Sequence, residues 1–316
     1  MMKTNVIPAL LCGSIICLSS CQNENMVPNE EPSLFMSVVA GIGNTPVTSR
    51  YAGTSPNSAT FTQEDAIGIF VNEEPLVRWE YNGQKWDPEQ TVYWTDKDTE
   101  HHFKAFYPYA EAASYNEIPM PSLKNQTGTM ESVSACDFLM AEKSQSYGEN
   151  GVVNFKEEGS AFNHISSLIQ LTIKSGKDLA SATLTSLSLT GANLVAPSTY
   201  SFTDGVKLTP DEESDEVSLA LNYDMSEGDI TYYLVVNEKL SATSTTTLTL
   251  QYTSGGNTYT ATKEGLAGNV FQSGMMQSFT LSVQNLELLV TGSEISPWEQ
   301  GNTMEDIVVD AKKEEA

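Results

Sequence analysis

Short runs of alternating apolar and polar residues, separated by turn-forming residues, recur along most of the chain. Alternation with a period of two places every second side chain on the same face of a β-strand. The first run predicts a strand over residues 34–42 whose apolar face consists of Leu34, Met36, Val38, Ala40 and Ile42. Further runs predict strands over 66–71, 91–94, 102–107, 152–155, 168–173, 182–189, 217–221, 231–236, 245–252, 258–262 and 277–283. Many short strands broken by turns are typical of an all-β sandwich.

Turn sequences and chain length refine this prediction. Asn82-Gly83 lies between two strand-like flanks and predicts a hairpin, as does the Gly255-Gly256-Asn257 sequence. The only helix we expect is a short segment around 160–167. A chain of 316 residues is long enough for two domains. We therefore expect two tandem β-sandwich domains, over 34–160 and 161–316, which meet at a polar turn.

The first twenty-one residues have the layout of an export signal. Lys3 gives a positive start, an apolar stretch follows, and Leu18-Ser19-Ser20 precedes Cys21. This ending resembles a bacterial lipobox, which implies that residues 1–20 are a lipoprotein signal peptide and that Cys21 is acylated. An uncut membrane anchor is the alternative, but the apolar stretch is shorter than the about 20 residues that span a bilayer. Residues 21–33 are polar and acidic and read as a tether.

Charge and cysteine usage exclude several classes of function. The formal net charge is −25, which repels nucleic acid and anionic lipid headgroups. Three of the four cysteines lie at or before Cys21, so Cys136 is alone in the expected mature protein. Neither an intrachain disulfide nor a cysteine-based zinc site is therefore expected.

Nothing in the sequence predicts an enzyme. His101 and His102 begin a predicted strand, so their rings point to opposite faces and are poorly placed to share a metal ion. The acidic stretch 96–100 lacks the glycine and the spacing of a calcium-binding loop. No nucleophile elbow, phosphate-binding loop or zinc-protease motif occurs. We expect no catalytic residues, no metal ligands and no cofactor.

Aromatic residues are concentrated between 70 and 109. They are Phe70, Trp79, Tyr81, Trp86, Tyr93, Trp94, Phe103, Phe106, Tyr107 and Tyr109. Packing in a β core is the favoured interpretation. A sugar-stacking surface is the alternative.

Several stretches, in order along the chain, resemble the fimbrillin-like proteins, the fimbrial subunits of Bacteroidales. The matching stretches are 45–50, 63–70, Trp86, 92–94, 103–108, 137–141, 153–155, 162–169, 279–283 and 295–298. Each motif is weak alone, but together with the lipobox they are fairly specific. The resemblance implies two transthyretin-like β-sandwich domains, export as a lipoprotein, and assembly into a type V pilus by donor-strand exchange.

The resemblance also implies a processing step. In this family an arginine-specific protease cuts after the first strand, the strand leaves, and a strand of a neighbouring subunit fills the groove. Arg50 is the first basic residue after Cys21 and lies in a stretch whose composition suits cleavage. The released strand would carry Leu34, Met36, Val38, Ala40 and Ile42. The alternative is an uncut family member in which Arg50 is an ordinary loop residue.

The C-terminal segment 303–316 is the candidate donor strand, because Ile307, Val309 and Ala311 alternate on one face. An ordinary edge strand is the alternative for this segment. The sequence thus predicts a fimbrial subunit at the outer membrane and cell surface that serves adhesion, with other fimbrial subunits as partners. A monomeric, lipid-anchored glycan-binding protein is the alternative function. Whether the subunit belongs to the stalk, the tip or the anchor stays open.

Overall fold

The computed structural model describes residues 34–43 and 60–298, except Glu149, Lys177 and Leu286. The all-β prediction is confirmed, since the described residues form nineteen strands and one short α-helix, α1 (Met130–Cys136). The strands before residue 165 are β1 (Ser37–Ala40), β2 (Ala66–Val71), β3 (Val77–Tyr81), β4 (Trp86–Pro88), β5 (His101–Tyr107), β6 (Ile118–Pro119), β7 (Leu139–Gln145), β8 (Val152–Phe155) and β9 (Asn163–His164). All described residues belong to one compact unit.

Most of these strands form one antiparallel sheet with the order β4-β3-β2-β5-β7-β9. Its β3–β4 hairpin turns at Asn82-Gly83, as predicted. The Asn82 Oδ1 accepts hydrogen bonds from the backbone N–H groups of Gln84 and Lys85 at 2.9 and 3.0 Å. Gly83 has a φ of +93°, which a residue with a Cβ rarely adopts.

The six-stranded sheet is covered on both faces, and therefore β2 is almost entirely apolar. One face contributes to the main hydrophobic core. The other carries a smaller core of Phe70, Phe106, Ile118, Phe138 and Tyr200. The ring of Phe106 packs so closely on Gly68 that a Cβ there would lie 2.5 Å from it.

The later strands form two four-stranded sheets, with the orders β15-β10-β18-β19 and β14-β11-β16-β17. These strands are β10 (Ser167–Ile173), β11 (Thr183–Thr190), β12 (Ser198–Ser201), β13 (Gly205–Leu208), β14 (Glu216–Asp224), β15 (Ile230–Val236), β16 (Thr247–Ser254), β17 (Asn257–Glu264), β18 (Met275–Gln284) and β19 (Glu287–Pro297). Gly255 and Gly256 form the β16–β17 turn with φ values of +58° and +83°, which confirms the second predicted hairpin. Short 3₁₀ helices occupy Met225–Glu227 and Leu266–Asn269.

Two local predictions were wrong, and one helix was missed. Residues 160–167 are not helical but contain β9 and the start of β10, because their apolar side chains are buried through strand pairing. The helix lies instead at α1, where the side chain of Thr129 accepts from the N–H of Ser132. The segment 91–94 is not a strand and forms a single bridge, between Tyr93 and Phe35.

One small sheet combines strands from early and late in the chain. It has the order β13-β12-β6, and it pairs Tyr200 of β12 with Ile118 of β6. The other sheets draw their described strands from only one side of residues 165–166. Sheet membership therefore changes between His164 and Ser167.

Candidate functional site

The first strand, β1, lies parallel to β8 in a two-stranded sheet. The register runs from Ser37 opposite Val152 to Ala40 opposite Phe155. Pairing continues beyond the strand ends, where the Phe162 N–H donates to the Gly41 carbonyl at 3.0 Å. A parallel neighbour that is distant in sequence makes β1 an element held by tertiary contacts alone.

The side chains of β1 alternate between the interior and the surface. The four buried ones belong to the main hydrophobic core and are Met36, Val38, Ala40 and Ile42. Leu34 is partly buried and packs against the same core. The apolar face predicted from the sequence therefore faces inward, and the strand contributes to the interior.

Among the described residues, the hydrogen bonds to the second edge of β1 lie at its beginning. The Met36 N–H donates to the Val92 carbonyl and the Trp94 N–H to the Leu34 carbonyl, both at 2.9 Å. Within the part of the chain that the structure describes, β8 is the only strand that pairs with β1. Because the amides of Ser37 and Gly41 bond on the β8 side, the backbone groups of Val38 and Ala40 face the opposite edge.

A cavity of about 170 Å³ lies beside this edge. It is bordered by residues 38–43 on one side and by the β3–β4 hairpin on the other. Aromatic side chains form much of its wall, namely Phe61, Tyr81 and Trp86. The rings of Phe61 and Trp86 meet edge to face, with centroids 5.0 Å apart. The groove that holds β1, defined here by the β8 edge, the core beneath β1 and this cavity, is our candidate functional site.

An exposed aromatic pair marks the beginning of the groove. Phe35 and Tyr93 are 50% and 57% exposed, and their ring centroids lie 5.0 Å apart. Beneath them, Trp94 is buried and its Nε1–H donates to the Gly151 carbonyl at 3.0 Å. This pair lies at the N-terminal end of β1.

The aromatic-rich region mostly packs inside the protein. Trp79, Trp86 and Trp94 are all buried, which agrees with the favoured interpretation of a β core. Among the ten aromatic residues of that region, all of them described, Tyr93 alone is a strongly exposed one. Any sugar-stacking surface there would have to use Tyr93 together with Phe35.

Sequence reasoning missed a buried cluster formed by His164, Asp137 and Trp298. The His164 Nδ1 lies 2.8 Å from the Asp137 Oδ1, and both side chains are buried. The imidazole ring stacks on the Trp298 indole ring at a centroid distance of 4.1 Å. All three residues lie in stretches that carry the fimbrillin-like resemblance, and this was the available signal.

The remaining chemistry-bearing residues have structural surroundings. His101 is buried and its ring contacts Thr95 and Thr99, whereas His102 is exposed and contacts Ser144. Burial, and secondarily the charge of Asp137, raises the pKa of the Cys136 thiol to about 11. Within residues 34–43 and 60–298, no three His, Cys, Asp or Glu side chains are grouped so as to hold a metal ion. No described helix is long and apolar enough to cross a membrane.

The other predicted site residues lie outside the described residues. They are the lipidation residue Cys21, the cleavage residue Arg50 and the donor-strand residues Ile307, Val309 and Ala311. The groove and its present strand are therefore the part of the predicted site that the structure describes.

Comparison with known proteins gives a family and a fold. The fimbrillin-like family model matches residues 52–298. No curated protein matches the chain. A solved candidate cell adhesion protein from Bacteroides uniformis is 17% identical, with a TM-score of 0.59 over 85% of this chain and 100% of the other. Another from Bacteroides ovatus is 16% identical, with a TM-score of 0.60 over 86% and 100%. A third, from Bacteroides fragilis, is 12% identical, with a TM-score of 0.51 over 87% and 100%. At these identities the likeness concerns the fold.

Proposed function

Because this chain belongs to the fimbrillin-like family, we propose that it is a subunit of a surface fimbria in which a neighbouring subunit's strand takes the place of β1. The observation that carries this proposal is the setting of β1. Its inward row is buried in the core, yet its only described strand partner is β8. A strand with one ladder and a deep apolar face can be replaced by another strand of the same pattern.

The energetics of the groove favour refilling over an empty state. Burial of a large aliphatic side chain contributes about 1.5–3 kcal/mol. Since Ala40 contributes less than the other three, the buried row holds β1 by about 5–10 kcal/mol before ordering entropy is subtracted. Loss of β1 would expose this apolar surface together with the β8 edge. An extended segment from a partner restores both the backbone hydrogen bonds and the buried side chains.

Cleavage after Arg50 is the step that would free β1. The mature chain has one other arginine, Arg78, which lies within β3 and is ion-paired with Glu80 at 2.7 Å. A residue inside a paired strand is a poor protease substrate. Arg50 is therefore the site at which an arginine-specific protease would separate β1 from the rest of the protein.

Export and assembly complete the proposal. Residues 1–20 direct the protein out of the cytoplasm, and the acylated Cys21 ties it to the outer membrane before assembly. The C-terminal segment, with Ile307, Val309 and Ala311, is donated to the groove of another subunit. A division into two sandwich domains near residue 160, which the family resemblance implies, agrees with the change of sheet membership between His164 and Ser167, although all described residues belong to one compact unit.

Treatment of the full chain with an arginine-specific protease, followed by denaturing and native gels, tests this function. We expect one discrete cut, a core that begins at Tyr51, and then a ladder of polymers when partner subunits are present. The Arg50→Lys variant is the matched control and should stay uncut and unassembled. A cut core that remains monomeric beside competent partners would contradict the proposal.

A second candidate function, a monomeric glycan-binding lipoprotein, is favoured by the exposed Phe35–Tyr93 pair. Aromatic faces of this kind stack on apolar sugar faces. The buried Trp79 and Trp94 are unsuitable for testing it, because their removal would disturb the core. Loss of glycan affinity on Tyr93→Ala, in a protein that stays monomeric, would favour this candidate over the fimbrial subunit.

A further inference from the structure

The groove imposes a strict pattern on any strand that fills it. Four successive inward positions are buried, at Met36, Val38, Ala40 and Ile42. A charged side chain at any of them would be moved from water into the apolar core, which is strongly unfavourable. A replacement strand must therefore supply four alternating apolar residues in a row.

The C-terminal segment of this same chain does not meet that requirement. Its apolar row has three members, Ile307, Val309 and Ala311, with Glu305 before them and Lys313 after them. Every register that extends this row to four positions includes Glu305 or Lys313. The opposite face alternates apolar residues with Asp306 and Asp310 and fits no better.

One of the four positions of β1 also borders a cavity. The cavity of about 170 Å³ borders residues 38–43, with Ala40 near the middle of that stretch. Ala40 is the smallest of the four buried side chains, and aromatic residues are among those that line the cavity. A larger aliphatic side chain at this position would cover part of the apolar lining of the cavity, which also includes the polar residues Gln84, Lys85 and Lys156.

We infer that the strand accepted by this groove comes from a different subunit and not from residues 303–316 of a second copy of this chain. That strand carries four alternating apolar residues, with a large aliphatic side chain at the position of Ala40. This inference rests on the proposed strand exchange and specifies its partner. It predicts a mixed polymer around this subunit, since its own C-terminal segment matches only part of its groove.

Displacement of β1 by synthetic peptides tests the inference. The full chain is cut after Arg50, and release of the fragment that contains β1 is followed by mass spectrometry as each peptide is added. A peptide of native sequence 34–43 sets the reference, and its Ala40→Leu variant should act at an about fivefold lower concentration. A peptide of sequence 303–313 should need about a hundredfold more, and its Glu305→Val variant should recover at least about tenfold.

The outcomes separate this inference from the function on which it rests. If the 303–313 peptide displaces β1 as well as the native peptide does, the exchange stands but the inference falls. If the native peptide itself releases no β1, strand exchange falls and the inference falls with it.

A measurement on the uncut full chain tests the position of Ala40 independently of exchange. Ala40→Leu should raise the thermal midpoint by about 2–4 °C, because the added atoms enter the cavity. Ser37→Leu, an outward-facing position on the same strand, is the matched control and should give no such rise. No rise, or a fall, for Ala40→Leu would overturn the assignment of a larger side chain to this position.

Discussion

The indole ring of Trp298 lies flat against the imidazole ring of His164, with ring planes 9° apart and centroids 4.1 Å apart. Trp298 follows β19, the last described strand. The backbone N–H of Trp298 donates to the Gly274 carbonyl at 2.9 Å. His164 ends β9 in the six-stranded sheet and contacts Asp137 at the end of α1. This stacking joins the end of the β15-β10-β18-β19 sheet to the six-stranded sheet, whose β3–β4 hairpin borders the groove.

Trp298→Ala should therefore lower the free energy of unfolding by about 3–5 kcal/mol, as expected for a large buried aromatic side chain. Denaturant unfolding measures this value. Ile295→Ala, on the preceding strand β19, is the matched control, since Ile295 is strongly exposed, and should change stability by less than about 0.5 kcal/mol. Similar values for the two variants would contradict a structural role for the stacked pair.

Gly68→Ala should destabilise the six-stranded sheet by more than about 2 kcal/mol. The added Cβ would lie 2.5 Å from the Phe106 ring and 2.9 Å from the Leu76 Cδ1, so the buried Phe106 and the partly buried Leu76 must both move. Gly176→Ala provides the control, because no atom lies within 4 Å of its Cβ position. A thermal melt in which both variants match the wild type would show that Phe106 does not pack on Gly68 as described.

Phe35 and Tyr93 should stabilise each other although both are exposed. Tilted aromatic pairs at this separation contribute about 0.5–1.5 kcal/mol beyond simple burial. A double-mutant cycle with Phe35→Ala, Tyr93→Ala and the double variant measures the coupling in unfolding free energy. Additive single effects would mean that the two rings have no coupling energy, and that their contact does not help to hold β1 in place.

Cys136 should react slowly with thiol reagents in the folded protein at pH 8, because its pKa is raised from 9.0 to about 11, chiefly by burial. The raised pKa means that folding favours the neutral thiol. Its contribution to stability is complete below pH 9.0 and is lost as the pH rises towards about 11. Cys136→Ala should remove that part of the alkaline destabilisation. Equal labelling rates in folded and denatured protein would show that the thiol is accessible.

Patterns local in sequence predicted much of the fold. The alternation at 34–42 identified the inward face of β1, and the Asn82-Gly83 and Gly255-Gly256 turns identified two hairpins, since each depends on neighbours a few residues apart. The pairing of Ile118 with Tyr200 was not predictable in this way, because nothing in either short strand specifies so distant a partner. The helix prediction for residues 160–167 failed for the same reason, because pairing with distant strands outweighs local helix propensity.

The candidate site likewise has features that can be derived from local sequence and features that depend on distant residues. The buried row of β1 could be derived from its period, whereas the cavity beside Ala40 depends on Phe61, Tyr81 and Trp86 converging from other elements. The His164–Asp137 contact joins residues that are far apart in sequence, and each alone resembles an ordinary polar residue. The fimbrillin-like resemblance covers the stretches that contain His164 and Asp137, but the contact between these two side chains is visible only in the structure.

Mass spectrometry of fimbriae recovered from the cell surface tests the central claim most directly. Peptides of this subunit from Tyr51 onward should be present, and the peptide that contains Leu34, Met36, Val38, Ala40 and Ile42 should be absent, because another subunit's strand has replaced β1. Assembled fimbriae in which residues 34–42 remain in equal amount with the rest of the chain would contradict replacement of β1.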